Sequence, residues 1–277
     1  MDDPDQLSLV PPSVLDDIAA LCARSMEMAP DRDELDAALF GVEQPAVVRG
    51  DPDRGVVASV AGEGESFVRL LVVDPRMRRR GIGRALLDAA EGDARARGHH
   101  RLTIGADAPF FLWPGVPSSA TGLLCMLERR HYARVETNFD MVVDLSPVGQ
   151  PAPGPRLTTS EDRDEMDRWL STHWPNWRME ALRALDKGNL VIDHDDTGIS
   201  AFCAFEVNRR GFLGPVAVRP DLLGRAAGRG VLDRALHELR RRGRRQVDVV
   251  WVGPIAPYAR VGGRVSSVYF VYRKEWP

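Results

Sequence analysis

Residues 66–104 read SFVRLLVVDPRMRRRGIGRALLDAAEGDARARGHHRLTI, and the order of signals within them sets the fold of the chain. Phe67 to Val73 is a β-branched and aliphatic run of strand length. Asp74-Pro75 ends it, because proline supplies no amide and restricts the residue before it. From Arg84 onward Leu86, Leu87, Ala90 and Ala94 recur at helical spacing, and Gly98, after Arg95 and Arg97, is a C-terminal stop. Between strand and helix lies Arg78-Arg79-Arg80-Gly81-Ile82-Gly83. The helix starts there with its first amides unsatisfied and a partial positive charge, and Gly81 and Gly83 let a ligand come close to the backbone. Arginines at 76, 78, 79, 80 and 84 add full charges, so the turn suits a diphosphate. The plainer reading of an isolated G-x-G is a solvated, Arg-rich helix start. Neither GxxxxGK[ST] nor GxGxxG is present, since Leu86 stands where the third glycine of the latter belongs.

The same segment recurs 145 residues later, with Pro75 over Pro220, Gly83 over Gly228, Arg84 over Arg229, Asp88 over Asp233 and Gly98 over Gly243. The register holds without a gap from Pro30/Pro175, through GVVASV over SAFCAF, to Ile104/Val249. An internal duplication of this length makes two domains of the 277 residues. We place them at 1–147 and 155–277, joined by a Pro/Gly linker at 148–154 within SPVGQPAPGP.

An apolar content of 44% with 28% charged residues is that of a soluble globular protein, and no apolar run reaches the length that spans a bilayer. The formal net charge of -3 argues against nucleic acid as a partner, because phosphate-backbone binders carry a basic excess. Arg240 to Arg245 closes a helix, where cations suit the dipole. MDDPDQ lacks the basic and apolar regions of a signal peptide, and Cys22, Cys125 and Cys203 show no metal spacing and cannot all pair. A reduced cytoplasm, no membrane and no metal are the expectations.

Along the first half we expect a strand at Leu7 to Val10, helices from Val14 to Arg24 and Asp31 to Phe40, hairpin strands at Ala46 to Val48 and Gly55 to Val60, the central segment, and a strand at Arg101 to Ile104. An aromatic loop, DAPFFLWPGVPSSA, then leads to a helix over Thr121 to Arg130 and strands over Val135 to Leu145. The second half repeats the plan and ends in a strand at Ser267 to Tyr272. The fold class is mixed α/β (α+β): two domains, each a mostly antiparallel mixed sheet flanked by helices, with one parallel crossover helix after the central strand.

With these elements in place, the chain resembles the GNAT superfamily of acyl-CoA-dependent N-acetyltransferases. Its signature, Arg or Gln, two residues, Gly, one residue, then Gly or Ala, is met by Arg78-x-x-Gly81-x-Gly83. The tandem layout is similar to mycothiol synthase and other bacterial two-domain acetyltransferases. The resemblance implies acetyl-CoA as co-substrate, with the amides of Arg79, Arg80, Gly81, Ile82, Gly83 and Arg84 on its diphosphate and the pantetheine arm paired with Leu71, Val72 and Val73. In the second copy Leu223 replaces the signature Arg, Ala226 and Ala227 follow, and Gly228 alone survives, so coenzyme A is expected to bind there weakly or not at all.

Acyl transfer to an amine needs a base to take a proton and an acid for the departing thiolate. The resemblance places the acid at a Tyr four residues before a Gly-Phe-like pair. Tyr258-x-x-x-Gly262-Gly263 has that spacing, whereas the first copy has Leu127-x-x-x-His131-Tyr132. His131 or Tyr132 is the substitute acid considered in the first copy, and Glu65, with Glu63 beside it, is the candidate base through water. The resemblance further places the acceptor pocket at Met28 to Asp36 and Asp107 to Pro117. Asp31, Asp33, Glu34 and Asp36 suit either a cationic amine or a helix start. The expected activity is transfer of an acetyl group to a primary amine of a small molecule in a direct ternary complex, by a monomer or homodimer. The alternatives are catalysis in the second domain through Tyr258, or a non-catalytic acetyl-CoA-binding module.

Overall fold

The computed structural model of the chain describes residues 7–41, 45–224 and 227–277. It divides into two compact units, Met1–Asn138 with Val268–Pro277, and Phe139–Ser267.

In the first unit, α1 (Leu15–Ser25) and α2 (Arg32–Leu39) precede β1 (Val47–Asp51), β2 (Gly55–Ala61) and β3 (Ser66–Val73). They are followed by α3 (Ile82–Ala96), β4 (Arg101–Ile104), β5 (Val116–Pro117), α4 (Thr121–Arg129) and the start of β6 (Ala133–Asp144). The expected strand over Leu7 to Val10 is reduced to an isolated bridge between Leu9 and Arg49. Val10 N donates to Val48 O and Gly50 N to Ser8 O, and Pro11 and Pro12, without amides, stop the pairing from extending beyond Val10. A capping box starts α2: Glu34 N donates to Asp31 Oδ1 and Asp31 N donates to Glu34 Oε2. β1, β2 and β3 run antiparallel, and β3 and β4 run parallel across α3. Leu86 and Leu87 of α3 are fully buried with Ala90 and Ala94 against this sheet, and truncating either leucine to alanine costs about 2–5 kcal/mol.

The second unit repeats the plan with β7 (Arg156–Leu157), α5 (Arg163–His173), α6 (Arg178–Asp186), β8 (Leu190–Asp195), β9 (Gly198–Phe205) and β10 (Phe212–Val218). α7 (Ala227–Arg241), β11 (Gln246–Val249), α8 (Ile255–Ala259) and β12 (Arg264–Glu275) follow. β7 to β10 are antiparallel, and β10 pairs with β11 in parallel. Within this unit β11 pairs with the later residues of β6, Met141 to Asp144. Within the first unit β4 pairs with the later residues of β12, Tyr272 to Glu275. Each sheet is thus completed by a strand from the other half of the sequence. Residues 148–155 run beside α7, where His237 Nδ1 lies 3.1 Å from the Gly149 carbonyl. No helix among the described residues is long and apolar enough to cross a membrane.

Candidate active site

The site is built at the C-terminal end of β3. Antiparallel pairing with β2 continues to Val73, but the parallel ladder to β4 ends at Val68 opposite Ile104. Strand alternation then decides which groups face the opened edge. Asp74 N donates to Arg54 O, so Val72, two residues earlier, also turns its backbone to β2, while Leu71 and Val73 turn theirs away from it. Of the three strand residues expected to meet a pantetheine arm, Leu71 and Val73 therefore present amides to the splay and Val72 does not.

The corner after β3 is held by Asp74. Its carboxylate is fully buried, accepts from Arg76 N and from the guanidinium groups of Arg76 and Arg24, and these hydrogen bonds hold it well below the usual carboxylate range. Arg24 reaches across from α1 and also donates to Pro52 O. Arg78, the first residue of the signature, donates from Nε to Val73 O at 3.2 Å and from Nη2 to Ser25 O at 2.9 Å. Its fork ties the loop to the end of β3 and the end of α1.

Arg79 and Gly81 then take left-handed backbone conformations, with φ of 64° and 84°. Gly81 caps α3 without any side-chain hydrogen bond. Nothing lies within 4 Å of where a Cβ on Gly81 would be, so the glycine serves backbone conformation and leaves open space above the helix start. The amides of Ile82, Gly83 and Arg84 have no carbonyl four residues before them within the helix, and the side chains of Arg79, Arg80 and Arg84 are exposed around them. Loose backbone donors, dipole and guanidinium groups converge as an anion cradle, so these residues fit a diphosphate.

A β-bulge lies at the other end of the splay. Ala58 pairs with Leu70 but Ser59 pairs with Val68, leaving Arg69 as the extra residue. Arg69 is 8% exposed, and its Nε donates to Asp107 Oδ2 while Nη1 donates to Ala38 O in the last turn of α2. Asp107 is 5% exposed, and burial raises its pKa despite the facing guanidinium. Among the described residues Asp107 Oδ1 is neither hydrogen-bonded nor sealed off as a buried unpaired atom.

The expected acids and base lie elsewhere. Glu65 precedes β3 at the end where β3 and β4 are still paired, and accepts from Thr103 Oγ1 at 2.8 Å beside Arg101 and Arg273. Tyr132 is buried behind α3, and its hydroxyl donates to Glu91 Oε1 at 3.0 Å. Burial, and then the Glu91 charge, raise its pKa well above that of a free phenol. His131 is exposed, with φ of 61°, at the end of α4. Tyr258 is buried in the core of the second unit, and burial raises its pKa. Glu65 and Tyr132, both in the first unit, are thus not brought together around the loop, and Tyr258 belongs to the core of the second unit.

The second copy differs at each of these points. Arg225 and Ala226 lie outside the described residues. Leu223, in the place of Arg78, is 61% exposed, and the Val218 carbonyl, counterpart of that of Val73, accepts from Trp174 Nε1 at 2.9 Å. Pro215 stands where the first copy has Leu70 and offers no amide. Arg69, Asp74 and Arg24 were not picked out as site residues by sequence reasoning, whereas Asp107 was expected at the edge of the acceptor pocket but without its partner Arg69. Arg69 alone carries a signal, as a charge inside the apolar run SFVRLLVV.

Fold and loop together are similar to those of GNAT-type acyltransferases. Residues 37–110 match the family model described as Acetyltransferase (GNAT) family, and the protein is an acetyltransferase with a GNAT domain. It is 28% identical to a mycothiol acetyltransferase of Clavibacter michiganensis, over 85% of this chain and 83% of that one. Among solved structures, a tandem GNAT protein from the clavulanic acid biosynthesis pathway superposes with a TM-score of 0.71 at 17% identity, covering 98% of this chain and 99% of that one. The glucosamine N-acetyltransferase region of a fungal multi-domain GH3 β-N-acetylglucosaminidase superposes with a TM-score of 0.79 at 19% identity. That match covers 97% of this chain and 38% of the fungal one. GNAT acetyltransferases use acetyl-CoA as co-substrate.

Proposed function

We propose that this chain transfers an acetyl group from acetyl-CoA to the primary amine of a small molecule, and that the coenzyme binds in the first unit. One observation carries the reading: an intact Arg78–Arg84 loop stands at the end of a strand that has lost its neighbour. Bound acetyl-CoA supplies the thioester. The amides of Ile82, Gly83 and Arg84 with the arginines around them hold the diphosphate, and Leu71 and Val73 hold the arm along the open edge. From Val73 back to Arg69 the strand spans about 13 Å, which carries the arm from the loop to the bulge. There a backbone amide polarises the thioester carbonyl, the ammonium gives up one proton to solvent, the neutral amine nitrogen attacks the carbonyl carbon, the C–N bond forms, the C–S bond breaks, and the second proton lost from nitrogen passes through water to the departing coenzyme A thiolate. The second unit, with Leu223, Pro215 and Trp174 in place of the working groups, supports the fold and leaves the chemistry to the first.

The relatives support a small-molecule acceptor. Mycothiol acetyltransferases and a glucosamine N-acetyltransferase are named for such substrates. The test is release of free coenzyme A thiol from acetyl-CoA in the presence of glucosamine, tyramine or putrescine, with the acetylated product identified by mass. Amine-dependent release supports the reading; tight binding of acetyl-CoA without transfer to any amine supports a non-catalytic module instead.

A further inference from the structure

The buried pair of Arg69 and Asp107 has no counterpart in the second copy. The register that puts Val68 over Leu213 puts Arg69 over Gly214, and Ala106, with φ of 55°, falls on Trp251, with φ of 51°, so Asp107 falls on Val252. Gly105 N donates to Val68 O as Val250 N donates to Leu213 O, which fixes the backbone equivalence. The same corner of the fold thus closes with a glycine and a valine and needs no ion pair. Desolvating two charges costs more than most buried pairs return, so a pair kept in one copy alone calls for another use.

Its position supplies that use. Arg69 is the bulged residue at which the splay opens, and Asp107 is on the segment that leaves β4 at the same level. Arg69 Nη1 fixes the arrangement to α2 through Ala38 O, and Arg69 Nε takes up Asp107 Oδ2. Asp107 Oδ1 remains without a hydrogen-bond donor among the described residues. A carboxylate with one oxygen locked by a guanidinium and the other open, at the thioester end of the coenzyme path, is complementary to an ammonium group. Resting on the acetyltransfer reading above, we propose that Asp107 Oδ1 receives the cationic nitrogen of the acceptor and is its specificity-determining contact, with Arg69 as the positioning residue. The site therefore selects protonated amines over their neutral analogues.

The experiment compares wild type, Asp107→Asn and the double variant Arg69→Gly with Asp107→Val, which installs the pair of residues that the second copy carries. Acetyl-CoA affinity is measured by titration calorimetry, and kcat and KM are measured with glucosamine, tyramine and putrescine. The expected result is an acetyl-CoA Kd within about twofold of wild type in both variants, with the KM of the accepted amine raised at least about tenfold, as for one lost charge-assisted hydrogen bond. In wild type, glucose inhibits transfer to glucosamine at least tenfold more weakly than a competing amine does, a readout that does not depend on how either variant folds. An unchanged KM in a folded variant, or equal inhibition by glucose and by the amine, overturns the proposal. A wild type that binds acetyl-CoA yet acetylates none of the three amines, or that does not bind acetyl-CoA at all, is a different result and sinks the acetyltransfer reading on which the proposal rests.

Discussion

Gly263 N donates to the Tyr258 carbonyl at 2.8 Å while Gly262 N donates to Ala259 O at 3.0 Å, the two bonds of a Schellman motif. Gly262 is the left-handed residue, with φ of 84°, and a Cβ on Gly263 would come within 2.7 Å of the Tyr258 carbonyl. The first copy closes α4 in the same way: Tyr132 N donates to Leu127 O and His131 N to Glu128 O, with His131 left-handed at φ of 61°. The spacing that suggested Tyr258 as an acid, and its counterpart Leu127-x-x-x-His131-Tyr132 in the first copy, is therefore also that of a helix stop. It gives His131 a backbone task.

A histidine in the left-handed region carries a steric cost that glycine does not. We expect His131→Gly to stabilise the protein by about 1 kcal/mol, seen as a rise in Tm of about 2–4 °C. A fall in Tm would show that the imidazole makes a contact worth more than the relieved strain.

The Arg78 fork holds the loop to two carbonyls, Val73 O and Ser25 O. Arg78→Ala frees that corner, and Arg78→Lys cannot span both acceptors. We expect either variant to raise the Kd for acetyl-CoA about tenfold, the equivalent of about 1.4 kcal/mol. Calorimetry showing wild-type affinity in both would remove the staple from the account.

Glu180 of α6 is buried, and burial pushes its carboxyl up to about 7, partly opposed by the hydrogen bond from Asn208 and by the charge of Arg183. The folded state thus holds this proton more tightly than the unfolded one. Its favourable contribution is complete below the ordinary carboxylate pKa and is lost as pH rises through about 7. Glu180→Gln keeps an acceptor for Asn208 and removes the charge. It should stabilise the protein by about 1–3 kcal/mol at pH 8 and by little at pH 4, read as Tm at each pH. An equal shift at both pH values would assign the effect to packing.

Much of the site was legible because local rules act within a few residues of each other. Pro75 ends β3, Gly81 turns the chain, and the apolar spacing of α3 begins at once, so strand, loop and helix follow without reference to anything distant. The duplication added the second copy and its departures from the signature at Leu223, Ala226 and Ala227. What escaped was set by contacts between distant residues. β6 and β12 each read as a strand, but nothing in their alternation says that their later residues complete the other half's sheet. Arg69 and Asp107 are separated by 38 residues and meet only because a bulge and a splay coincide. Glu65 and Tyr132 are titratable groups of suitable type, yet a linear sequence does not tell a residue facing a cleft from one bonded to Thr103 or Glu91.

Titration of acetyl-CoA into wild type, Gly81→Asp and Gly228→Asp by isothermal calorimetry tests the central claim most directly. An aspartate at 81 puts a carboxylate beside the anion cradle and a side chain on a backbone with φ of 84°, whereas one at 228 meets Val218 at 3.1 Å in a copy that lacks the signature arginine. The account predicts one site in wild type, lost with Gly81→Asp and kept with Gly228→Asp. Two sites, or loss with Gly228→Asp alone, would contradict it and place the coenzyme in the second unit.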